Sequence, residues 1–104
     1  MEKMFCEKFV PKILPAVRAI MASILINEFN LTQTETAKKL GITQPAVSQY
    51  LKGLRARHVR KIMKNEKIMG KIEEITTELV NKKNFKMEKR FCEICELIRE
   101  EKIF

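Results

Sequence analysis

Two glutamines, Gln44 and Gln49, stand five residues apart with Ser48 between them; Thr43 and Pro45 flank the first and Lys52 follows. A glutamine amide donates and accepts at once, so it can match the N7 acceptor and N6 donor that adenine shows in a major groove. Ser48 can bond to several bases and specifies little. The Thr43 methyl or the Pro45 ring can touch a thymine methyl, yet both residues equally suit a helix start, as cap and first-turn proline. Base contacts are therefore expected from Gln44, Ser48, Gln49, Thr43 and Pro45, on a helix over about 44–52 whose N-terminal residues face the bases.

Phosphates are the expected targets of Thr32 and Gln33, at a second helix start where free N–H groups favour anions. Lys52, Arg55, Arg57, Arg60 and Lys61 follow the reader and can grip the flanking backbone. The distribution of charge agrees. The 104-residue chain has a formal net charge of +8. Residues 38–71 hold ten Lys and Arg against one acid, Glu66, while the rest of the chain carries eleven bases and twelve acids. A localised basic excess is the footprint of a polyanion partner, although a solvated lysine-rich surface gives the same count.

A third group is sulfur. Cys92 and Cys95 form a CxxC, with Cys6 far upstream. Thiols three apart on a helix lie near one face, so both can reach one ion. Zinc and iron–sulfur sites usually take four ligands, which here requires His58 or a second copy of the chain. The alternative is thiols packed as small apolar side chains, with no cofactor required. Cys6, Cys92 and Cys95 are thus the candidate ligands of a metal or redox sensor.

Helices must position these groups. With 3 Gly, 3 Pro and no Trp, and with helical periodicity almost throughout, the chain reads as all-α, five to six helices in a single domain over residues 1–104. A first long helix is expected over about 15–29, striped by Val17, Ile20, Met21, Ile24, Leu25 and Phe29. Met4, Phe5, Phe9 and Ile13 suggest a short lead-in that Pro11 separates. Thr32 and Glu35 form a capping-box pattern for a helix ending at Leu40, where Gly41 supplies a left-handed stop. Thr43 then caps the reader helix. Ala37 is small where two helices must cross closely, and Leu40, Ile42, Val47 and Tyr50 can pin the pair to a core. Residues 54–67 form a basic segment with Val59, Ile62 and Met63 on one face. A helix over about 68–81 presents Ile68, Ile72, Ile75 and Leu79. After a turn at 81–84, a last helix over about 86–101 presents Met87, Phe91, Ile94, Cys95 and Ile98.

The twenty residues 33–52 resemble the helix-turn-helix of phage-repressor-like, XRE-type regulators. More loosely, residues 6–95 resemble a family of small archaeal predicted transcriptional regulators. The shared residues are Leu14-Pro15-Ala16-Val17-Arg18-Ala19, Leu31-Thr32-Gln33-Thr34-Glu35, Gly41-Ile42-Thr43-Gln44, Ala46-Val47-Ser48-Gln49-Tyr50-Leu51 and Phe91-Cys92-Glu93-Ile94-Cys95. The resemblance implies sequence-specific binding to double-stranded DNA, transcription regulation and a homodimer. The C-terminal helices over about 68–101 are candidates for the dimer contact, although their stripes can equally complete the monomer core.

Other classes fit less well. One His, no paired acids in a cleft context and no glycine-rich phosphate loop argue against an enzyme. An RNA reader would present aromatics for stacking, and the basic region offers only Tyr50, expected to be buried. A protein-interaction module on the same hairpin stays open. The longest apolar stretch, residues 19–26, is too short to span a bilayer, and the N-terminus lacks a signal-peptide layout. The apolar stripe of the basic segment is too thin for a membrane-surface helix. Cytoplasmic residence is expected.

Overall fold

The structure, a computed structural model, describes residues 3–81 and 87–101, with side chains over 13–81 and 90–101. Among these residues six α-helices form and no strand does. They are α1 (Lys3–Asn27), α2 (Gln33–Leu40), α3 (Gln44–Lys52), α4 (Arg57–Lys64), α5 (Glu66–Asn81) and α6 (Met87–Glu101), with a 3₁₀ turn at Gly53–Arg55 between α3 and α4. The all-α expectation is met.

The long α1 is the hub, touching all five other helices. One apolar stripe was expected on it. Instead Ala16, Ala19 and Ala22 are buried along with Val17, Ile20, Met21, Ile24 and Leu25, so this stretch is enclosed almost all round. The alanines let neighbouring helices approach on faces where larger side chains would hold them off. The helix also begins earlier than the spacing suggests and runs through both Pro11 and Pro15. Proline removes a backbone donor and crowds the carbonyl four residues back. Burial of Ile13, Ala16 and Val17 outweighs that local penalty, because tertiary packing rather than propensity supplies most helical stability. At its other end α1 stops at Asn27, before Phe29. Asn30 takes a left-handed φ of 59°, and Leu31 N–H donates to the Leu25 carbonyl at 3.1 Å.

Two apolar clusters meet on α1. The larger joins α1, α4, α5 and α6, and the smaller is Ala22, Ala37 and Val47, closed by Ile26, Leu40, Ile42 and Leu51. Leu40 packs against both. Ile68, Ile72, Ile75 and Leu79 of α5 and Phe91, Ile94, Cys95 and Ile98 of α6 all lie inside the larger cluster. Both stripes are therefore packed within the core of this chain. Spacing expects Met63 on one face of the basic segment with Val59 and Ile62. It is the exposed large hydrophobic residue among the described side chains, while Val59 and Ile62 are buried. The backbone of Met4, Phe5 and Phe9 is part of α1, so the expected separate lead-in is continuous with it; their side chains, the Met87 side chain and most of the turn at 81–84 lie outside what is described.

Asn65 divides α4 from α5. Asn65 Oδ1 accepts from Ile68 N–H at 3.0 Å, capping α5, and its Nδ2 donates to Glu101 Oε1 at 3.1 Å. The α5–α6 pair is further clasped by charge. Arg90 reaches Glu74 at 3.1 Å and Glu93 at 2.8 Å and also contacts Glu78; Lys71 reaches Glu93 at 3.4 Å. Partial burial opposes the charge on Arg90, but Glu93, Glu78 and Glu74 together raise its pKa above the ordinary value.

Candidate nucleic-acid interface

The hairpin of α2 and α3 is built from the signals in its sequence. Thr32 Oγ1 accepts from Glu35 N–H at 3.1 Å while Glu35 Oε1 accepts from Thr32 N–H at 2.8 Å, a complete capping box. Gly41 ends α2 at φ 70°, and Ile42 N–H returns to the Ala37 carbonyl at 3.0 Å. Thr43 Oγ1 accepts from Ala46 N–H at 3.2 Å, with Pro45 in the first turn of α3. Ala37 is buried where α2 meets α1 and α3, and Val47 is wholly buried.

Burial of Val47 fixes the rotation of α3, so the opposite side must face outward. Pro45, Gln49 and Lys52 lie at helical spacings of four and three, in one row, and all are exposed. Gln44 and Ser48 form the adjoining row on the side of α2, Gln44 exposed and Ser48 half-buried. All five base-contact candidates thus share one face or its approach, with exposed Thr43 at the head.

A contact across the hairpin was not legible from spacing. Gln44 Nε2 donates to Gln33 Oε1 at 2.6 Å. Next to this pair an open cleft of about 410 Å³ is lined by Gln33, Ser48, Leu51, Lys52 and Arg55. Of the two phosphate-contact candidates at the head of α2, Gln33 therefore sits beside the reader, in a cleft whose lining also includes Lys52 and Arg55. On the other edge of α3 the half-buried Tyr50 takes a 3.5 Å hydrogen bond from Arg18 Nη1, which ties the reader to α1. Tyr50 is expected to be a buried apolar pin; it is instead half-buried, with its hydroxyl accepting from Arg18.

Arg57, Arg60 and Lys61 are exposed on α4 and line a separate hollow with Arg55 and Lys64. Lys64 was not among the sequence candidates. The signal was available, since it continues their helical row.

Residues 23–68 match the helix-turn-helix family. No curated protein and no solved structure matches the chain. The matched stretch starts within α1, includes α2, α3, the 3₁₀ turn and α4, and ends in the first turn of α5. It therefore takes in every candidate contact residue. The rest of α5 and all of α6 lie beyond it.

The cysteines are divided between surface and core. Cys92 is exposed, whereas Cys95 is wholly buried in the larger cluster among apolar side chains. The Cys6 side chain lies outside the described residues. Among those described, no group of three or more His, Cys, Asp or Glu is gathered as metal ligands would be. Nor is any described helix long and apolar enough to cross a membrane.

Proposed function

We propose that this chain is a transcriptional regulator that binds double-stranded DNA sequence-specifically, with α3 in the major groove. The observation that carries the reading is the Gln33–Gln44 hydrogen bond at the head of an outward-facing α3, beside an open cleft lined in part by Lys52 and Arg55. An isolated exposed glutamine samples many rotamers and reads bases poorly. Here one Nε2 hydrogen of Gln44 is engaged by Gln33. Its second hydrogen and its Oε1 stay available, which is the donor–acceptor pair that adenine N7 and N6 require.

Gln33 accepts through its oxygen and keeps its amide hydrogens for a backbone phosphate. Thr32 accepts from Glu35 through its hydroxyl oxygen and keeps its O–H for the same strand. Lys52 and Arg55 neutralise phosphates beyond the other end of α3. Gln49 and Ser48 add base-edge contacts, while Thr43 and Pro45 present their methyl and ring carbons to thymine methyls.

One α3 reads few base pairs, so two copies are proposed to occupy two half-sites as a homodimer in the cytoplasm. Their pairing uses neither the α5 nor the α6 apolar stripe, because both are buried within one chain.

Selection of bound sequences from random duplex DNA tests the whole reading. Enrichment of a two-fold repeat with adenines opposite Gln44 and Gln49 is expected. Recovery of unenriched sequence would overturn it. Sedimentation with the selected duplex should give two chains per site, and one chain per full site would remove the homodimer.

A further inference from the structure

We infer that the outer face of α4 is a second phosphate track, distinct from the α2–α3 surface and continuous with it at Arg55, that holds DNA flanking the base pairs α3 reads. This inference rests on the DNA-binding reading above and extends its footprint.

Three observations carry it. The first is register. Arg57, Arg60, Lys61 and Lys64 fall at i, i+3, i+4 and i+7, a single row on an α-helix. On the opposite face Val59 and Ile62 are buried at 2% and 0% exposure, which locks the rotation of α4. The cations are held outward.

The second is pairing. Lys67 meets Glu101, and Lys71 meets Glu74 and Glu93. The basic stretch thus splits. Its end is neutralised by α5 and α6, whereas among the described residues Arg55, Arg57, Arg60, Lys61 and Lys64 have no acid within ion-pair reach. Like charges that crowd one surface repel, and a polyanion relieves the repulsion.

The third is shape. The five cations line one hollow of about 420 Å³, and Arg55 also lines the cleft beside Gln33 and Ser48. The two surfaces therefore share a wall. Every one of the five is exposed, so the hollow lacks the enclosing polar walls that select a small anion. A long, regularly charged ligand fits better. The row from Arg57 to Lys64 spans roughly 10 Å at 1.5 Å per residue, enough to meet about two neighbouring phosphates of one strand.

The test couples α4 to flanking DNA. The chain and its Lys61→Ala/Lys64→Ala variant are titrated against a selected duplex with long flanks and against the same duplex trimmed to the core site. On long flanks the variant should bind roughly tenfold more weakly, with a salt slope shallower by about 1.8 for two phosphates lost. On the trimmed duplex the two proteins should bind alike, and base preference should be unchanged on both. An equal loss on long and trimmed duplexes, or no loss on either, overturns the track. A Lys61→Gln/Lys64→Gln variant repeats the measurement with side chains that keep length and polarity, and unfolding midpoints confirm that both variants fold. Failure of the underlying reading is visible separately: the unaltered chain would then show no sequence preference on either duplex.

Discussion

Gln44 and Gln33 are joined across the hairpin by a 2.6 Å hydrogen bond between their side-chain amides. One residue starts α3 and the other starts α2, so the bond couples a base-reading candidate to a phosphate-facing one. Gln44→Ala should weaken specific binding by about 1–3 kcal/mol and relax one base preference. Gln33→Ala should relax the same preference, although Gln33 reads no base. The double variant should lose less than the sum of the singles, as expected for residues in contact. Competition binding against duplexes varied at one base pair measures all three. Strict additivity would contradict the coupling.

Gly41 should be required for its backbone alone. It sits at φ 70°, and a Cβ built there meets nothing within 4 Å. Gly41→Ala should therefore destabilise by about 1–2 kcal/mol through the left-handed conformation rather than a clash. Gly41→Asn should be milder, since asparagine tolerates that region. Urea unfolding of the two variants distinguishes conformation from space; equal losses would point to a steric cause.

The hairpin was legible because its signals are local. Thr32 with Glu35, Gly41, and Thr43 with Pro45 each act within a few residues, and each appears in the structure as the spacing implies. The core was legible where periodicity is clean, as for Ile68, Ile72 and Ile75. What escaped depends on distance in sequence. The Gln33–Gln44 bond, the Arg18–Tyr50 bond and the link from Asn65 to Glu101 join residues eleven or more apart. The continuous α1 escaped because two prolines mark a local break that the surrounding packing overrides. Spacing put Cys92 and Cys95 near one face, but it could not say that the core boundary passes between them.

Thr36 and Thr76 make opposite use of a buried hydroxyl. Thr76 Oγ1 donates to the Ile72 carbonyl at 2.7 Å, whereas the buried Thr36 Oγ1 finds no hydrogen-bond partner among the described residues. Thr36→Val keeps the shape and removes a desolvated polar atom, so it should stabilise by about 1 kcal/mol. Thr76→Val loses a made bond and should show no such gain. Thermal unfolding of both compares them directly; a destabilised Thr36→Val would indicate a bond made by that hydroxyl.

The Arg90 clasp should matter for stability and be insensitive to moderate pH change. Its side chain is 20% exposed and contacts Glu74, Glu78 and Glu93. Arg90→Ala removes this cation while Lys71 still reaches Glu74 and Glu93, and a loss of about 1 kcal/mol is expected at these partly exposed pairs. The raised pKa of Arg90 means that its charge contributes fully below the unfolded value and is lost only in strong alkali. The difference in unfolding free energy between the native chain and Arg90→Ala should therefore stay level from pH 6 to pH 9, roughly, on this linkage. A difference that decays within that range would show that another group governs the clasp.

Ala56 offers a way to separate stability from binding. It precedes α4 in an extended conformation, φ −61° and ψ 145°, with no side-chain hydrogen bond to cap the helix. Ala56→Ser and Ala56→Asp each supply the missing acceptor and should stabilise by about 1 kcal/mol. Their effects on DNA should diverge. Serine adds no charge and should leave affinity unchanged. Aspartate stands between Arg55 and Arg57, at the junction of the two cation-lined surfaces, and should weaken binding to every duplex sequence alike. Paired unfolding and binding measurements on these two variants test whether that junction faces the phosphates. Equal affinities for Ala56→Ser and Ala56→Asp would place it away from the DNA.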